Sequence, residues 1–93
     1  METTQRGFQI TSFKDDYGLE CSLQKSSAAT KDCIWLGINK PKLTIFEDKN
    51  LGKYIETEMP ETFMVDSRMH LTREQVAELL PYLENFVKTG ELE

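Results

Sequence analysis

The last quarter of the chain constrains the fold most, because residues 72–90 spell out a helix with its start, apolar face and stop in order. The Thr72 hydroxyl can accept from a free N–H of the first turn, and Gln75 can reach back to close a capping box. Leu71 and Val76 stand at the staple positions on either side. Val76, Leu79, Leu80, Leu83, Phe86 and Val87 recur at the spacing of one stripe on a 3.6-residue period. Lys88 suits the negative end of the helix dipole, and Gly90 supplies a left-handed residue just past the end. The spacing predicts a helix over 73–88. Pro81 falls in its interior, where it forfeits the bond to the Ala77 carbonyl at a cost of about 3 kcal/mol. A kink that lets the helix wrap a twisted sheet is the expected outcome, and a break into two short helices is the alternative.

An apolar stripe needs a surface to cover, and the preceding residues read as sheet. Phe8 and Ile10 alternate with Gln9 and Thr11, giving a short first strand. Lys14-Asp15-Asp16-Tyr17-Gly18 is a turn, and Leu19 to Gln24 alternates again, so the two strands should form an antiparallel hairpin. Residues 26–32 are a loop of small and polar side chains. Cys33 to Ile38 is apolar on both parities, as a central strand should be. Leu43-Thr44-Ile45-Phe46 reads as a short edge strand, Lys49-Asn50-Leu51-Gly52 as a turn, and Pro60 should close that excursion. Phe63 to His70 alternates once more. Parity then places Phe8, Ile10, Leu19, Cys21, Leu23, Ile34, Leu36, Val65 and Met69 on the face that takes the helix. The expected fold is α+β, a small antiparallel sheet of four or five strands with one C-terminal helix packed on one face, in a single domain spanning 1–93.

Ninety-three residues bury only a modest core, so oligomerisation would help, and a homodimer is expected. No apolar run approaches the ~18–20 residues of a membrane span, and the N-terminus lacks a secretory pattern, which points to a cytoplasm and away from a membrane partner. Two cysteines do not make a disulfide scaffold: Cys21 reads as a core residue, with a Cys21–Cys33 bridge as the lesser alternative. Eleven basic against sixteen acidic side chains give a net charge of −5, which argues against direct binding to nucleic-acid phosphates.

The second face of the sheet carries the functional lead. It presents Gln9, Thr11, Glu20, Ser22, Gln24, Cys33, Trp35, Asp66, Arg68 and His70. Trp35 is a flat ring among polar groups, and Arg68 and His70, two apart on one strand, point the same way. Arg offers a planar fork for a carboxylate or phosphate, and an aromatic ring can stack a base or a cation. Trp35, Arg68, His70, Asp66, Gln24, Ser22 and Arg73 are therefore the candidate binding residues. The competing reading has Trp35 packed under the 43–62 excursion and Arg68 paired with Asp66 or Glu20. His70 is the lone histidine. No nucleophile elbow, paired histidines or second metal-ligand cluster accompanies it, so a structural hydrogen bond near the Thr72 cap is the expected role. The residues point to no catalytic set, no metal and no cofactor.

Four segments together resemble a family of short hypothetical proteins of tailed bacteriophages and prophages: Asp16 to Ser27, Ile34-Trp35-Leu36-Gly37, Arg68 to Pro81, and Thr89-Gly90-Glu91-Leu92. Residues 39–62 fall outside the resemblance, and no functional residue carries over. The resemblance implies expression in the cytoplasm of an infected bacterium. The expected function is then a small non-enzymatic binding protein that inhibits or sequesters a bacterial host protein, such as a defence factor. The alternatives are an oligomeric sponge that traps an anionic nucleotide through Arg68, Arg73 and Trp35, and a structural or assembly accessory of the phage.

Overall fold

The main sheet is built from short antiparallel strands. The computed structural model describes residues 1–28, 30–47 and 53–93. Strands β1 (Glu2–Thr3), β2 (Gln9–Lys14), β3 (Glu20–Lys25), β4 (Cys33–Ile38) and β7 (Arg68–Thr72) form one antiparallel sheet in the order β1-β2-β3-β4-β7. Strands β5 (Leu43–Glu47) and β6 (Lys53–Thr57) pair with each other in a separate two-stranded ribbon. Helix α1 (Arg73–Thr89) follows β7 without an intervening loop. The fold is α+β, an antiparallel sheet with one C-terminal helix.

The β2–β3 turn is fixed by its aspartate and glycine. Asp15 Oδ1 accepts from the Tyr17 and Leu19 N–H groups, each at 2.9 Å, and Gly18 adopts φ 82°. Lys14 pairs with Glu20, so five residues separate the paired positions. An odd-length connection pairs even residues with even ones. Ile10 therefore stands opposite Gln24, and Thr11 opposite Leu23. This corrects the parity expected for the first strand. Ile10 shares a face with Gln24, while Gln9, Thr11 and Phe13 share the face of Cys21 and Leu23, because residues paired across antiparallel strands point to one side. The other strands keep the expected parity: Leu23 pairs with Leu36 and Leu36 with Met69, while Gln24 pairs with Trp35 and Trp35 with His70.

Two further expectations change. The last strand begins at Arg68, so Phe63, Met64, Val65 and Asp66 lie in an irregular, exposed run ahead of it, with Met64 99% exposed. The segment Leu43–Glu47 is a strand as expected, but its partner is the unanticipated β6, and the pair forms no part of the main sheet. The expected turn at 49–52 lies outside the described residues. Cys21 and Cys33 are both free thiols on opposite faces of adjacent strands.

Helix α1 forms as its signals dictate. The Gln75 N–H donates to Thr72 Oγ1 at 3.2 Å and the Thr72 N–H donates to Gln75 Oε1 at 2.9 Å, completing the capping box. Gly90 closes the other end at φ 81°, its N–H donating to the Phe86 carbonyl at 2.8 Å. The helix runs unbroken through Pro81, which excludes the two-helix alternative.

What the helix does not do is cover its own sheet. None of its residues is buried; Leu83 is 52% and Phe86 54% exposed. The cause is local. Thr72 is at once the last residue of β7 and the cap of α1, so no residue is left to turn the chain back. The helix leaves the sheet edge and contacts chiefly the strand it grows from. Among the described residues the buried apolar side chains are Cys21 and Cys33 alone. The radius of gyration is 17.1 Å, against about 12 Å for a compact chain of this length. No helix of the described residues is long and apolar enough to cross a membrane.

Candidate functional site

Strand pairing brings four of the seven candidate residues together. Trp35 in the middle of β4 lies between Gln24 of β3 and His70 of β7 in the ladder, and Arg68 is two residues from His70 on the same side. The side chains complete what the register begins. The Trp35 and His70 rings stack with centroids 4.0 Å apart and planes 24° from parallel. The Arg68 guanidinium carbon lies 5.4 Å from the Trp35 ring centroid, within cation–π range. Arg68 Nη1 also donates to Gln24 Oε1 at 3.3 Å. Trp35 is half-buried by these neighbours.

The position of Arg68 depends on Gly37, its partner in the ladder. A Cβ at residue 37 would stand 2.7 Å from the Ser67 carbonyl oxygen and 2.9 Å from Arg68 Cα, and the residue has φ 150°. Only glycine lets β7 approach β4 this closely without strain. The sequence marked this glycine only as part of an apolar run.

His70 is anchored from the far end of β3. Its Nε2 shares a 2.8 Å hydrogen bond with Ser26 Oγ, and that oxygen also accepts the Ala28 N–H at 3.2 Å. Ser26 is buried, so the imidazole is held against a fixed group while its face meets the indole. The structural hydrogen bond expected of His70 is therefore present, although its partner lies 44 residues away and not at the Thr72 cap. The expected pairing of Arg68 with Asp66 or Glu20 gives way to Gln24.

The remaining candidates fall outside the cluster or beneath it. Ser22 shares the face but is only 1% exposed, its hydroxyl donating to Asn39 Oδ1 at 2.6 Å. It is a structural residue. Asp66 is exposed in the run before β7 and shares a shallow hollow with Trp35, Asn39 and Arg68. Arg73 opens the helix and sits 3.7 Å from Asp32, apart from the indole cluster.

Sequence reasoning missed the N-terminal wall. The Phe8 N–H donates to Thr4 Oγ1 at 3.0 Å and the Thr4 N–H to the Phe8 carbonyl at 2.7 Å, closing a turn through Gly7. That turn places Phe8 beside the Trp35 face, and the Arg6 guanidinium carbon lies 5.7 Å from the Phe8 ring centroid. Thr4, Arg6, Phe8, Gln24, Ser27 and Trp35 line an open hollow of about 320 Å³. Each of its two aromatic rings thus carries a guanidinium. The even parity of Phe8 and Ile10, combined with the odd turn, is the signal that could have placed Phe8 here.

No protein-family model, curated protein or solved structure matches this chain. Its chemistry is therefore read from the cluster itself. Trp35, Phe8, Arg6 and Arg68 offer flat apolar rings and planar cations, a set suited to stacking and to pairing with an anion. Among the described residues no group of three His, Cys, Asp or Glu side chains could hold a metal.

Proposed function

We propose that this chain is a non-enzymatic binding protein that engages a protein partner through the Trp35–Arg68–His70 face. One observation carries the reading: the indole is held in place by His70 and Arg68 on an open sheet face, before any partner arrives. Trp and Arg dominate binding energy at protein interfaces, and a side chain already held in one rotamer loses little entropy on association. Arg68 spends one donor on Gln24 and keeps further N–H groups for a carboxylate on the partner. The resemblance to phage and prophage proteins makes a bacterial host factor the partner of choice. Immobilised protein exposed to host lysate tests this: the parent should retain a discrete partner, and Trp35→Ala and Arg68→Ala should lose it. Recovery of the same proteins by all three forms would remove the proposal.

A second reading, a trap for an anionic nucleotide, is favoured by the hollow between Phe8 and Trp35, with Arg6 and Arg68 beside the rings. A base would stack and the phosphates would meet guanidinium groups. A nucleotide at 100 times its Kd would stabilise the fold by about 2.7 kcal/mol, visible as a thermal shift. An unchanged melting curve across a nucleotide panel rules this reading out.

A further inference from the structure

We infer that two copies of this chain close on each other, the helix of one packing its apolar stripe against the uncovered sheet face of the other. Surface area and chain geometry point to this arrangement independently of the Trp35 face.

A folded monomer of 10.8 kDa exposes roughly 5,500 Å² by the usual scaling with mass, whereas this chain exposes 8282 Å². The excess over the whole chain, about 2,700 Å² per copy, is more than three times the ~800 Å² per partner of an ordinary complex, so a part of it suffices for a stable interface. Part of that excess lies on two apolar surfaces, and part lies elsewhere, as at Tyr17, Phe63 and Met64. On the helix it includes Leu79, Leu80, Leu83, Phe86 and Val87; on the sheet it includes Phe13 and Met69, beside the half-buried Leu23, Ile34 and Leu36. Both surfaces are apolar, and each has the dimensions of the other. A helix of 17 residues is about 25 Å long, and five strands at about 4.8 Å spacing present a face of comparable width.

These two surfaces would cover each other within one chain if the connection allowed it. A strand-to-helix connection that reverses direction takes about two to six residues, and here β7 runs into α1 at Thr72–Arg73 with none. A connection too short to fold back is the condition under which identical chains exchange an element, and a two-fold axis then satisfies both copies at once. The Trp35 face lies on the opposite side of the sheet and stays open in this arrangement.

The decisive experiment adjusts the connection. By sedimentation equilibrium at micromolar concentration, the parent chain should have twice the 10.8 kDa monomer mass. Inserting six Gly/Ser residues between Leu71 and Thr72 leaves the capping box intact and frees the helix to cover its own sheet. That variant should remain folded and sediment at half the parental mass. A photo-cross-linking residue in place of Leu83 supplies a second readout. In mixtures of isotopically light and heavy chains, it should join the helix of one copy to the β4 or β7 peptide of the other. A monomeric parent, or cross-links that join helix only to helix or only residues of one chain, would overturn the inference.

Discussion

On one face of the sheet, Trp35 is stacked by His70 and carries Arg68, all within one chain; on the helix that leaves the sheet edge, Leu83 and Phe86 stand half exposed. The first surface is complete in a single copy because its parts come from neighbouring strands, where hydrogen-bonded register does the positioning. The second is incomplete because its parts come from a sheet and a helix that a zero-residue connection keeps apart. The difference has thermodynamic weight. Fully burying a Leu or Phe side chain contributes about 1.5–3 kcal/mol, so the five stripe residues left about half exposed or more forgo an amount that is a large share of the 5–15 kcal/mol stability of a typical domain. A chain so arranged needs a cover for one face and can keep the other for recognition.

Substitutions that strike each surface should separate them, and the largest effect belongs to the helix stripe. Leu83→Glu places a charge where a leucine must be buried. It should dissociate the dimer and cost at least about 3 kcal/mol per chain, seen as a halved mass and a collapsed thermal transition. Gly37→Ala comes next. The added Cβ meets the Ser67 carbonyl oxygen at 2.7 Å in a backbone conformation disfavoured for alanine, so β7 must shift away from β4. The expected loss is about 2–3 kcal/mol, a fall in Tm of roughly 10 °C or more, accompanied by altered emission of Trp35. Thr72→Ala removes one half of the capping box and should cost about 1 kcal/mol, measured by urea denaturation with an unchanged slope.

Smaller effects mark the Trp35 face. His70→Ala should change the fluorescence of the single tryptophan while costing about 1 kcal/mol or less and leaving the mass of the assembly unaltered. A change of oligomeric state in this variant would mean that the two faces are not independent. Asp32→Asn, which removes exposed pairs with Lys25 at 3.1 Å and Arg73 at 3.7 Å, should move stability by no more than about 0.5 kcal/mol.

The helix was the most legible part of the chain because its signals are local. Thr72, Gln75 and Gly90 act within one turn of their own positions, and the helix occupies Arg73–Thr89 against an expected 73–88. Strand faces were legible wherever alternation alone decided them, which placed Trp35, Gln24, Arg68 and His70 on one side. The error at Ile10 came from the turn: a five-residue connection inverts the pairing of parities, and neither strand announces it. The two-residue β1 is too short to carry a period, and β6 lies in a segment without alternation. Amphipathicity predicts a cover for the stripe of α1, but it carries no information on what supplies that cover, and the single chain leaves the stripe unburied. Ser26 and Phe8 joined the site through contacts between distant residues, and spacing along the chain does not encode those.

The contrast between the two faces can be read in one experiment, hydroxyl-radical footprinting of the parent protein at micromolar concentration. The account predicts strong labelling of Trp35 and weak labelling of Met69, Leu83 and Phe86, even though the single chain leaves those three more than half exposed. Labelling of the helix stripe as heavy as that of Met64, which is open to solvent, would contradict it.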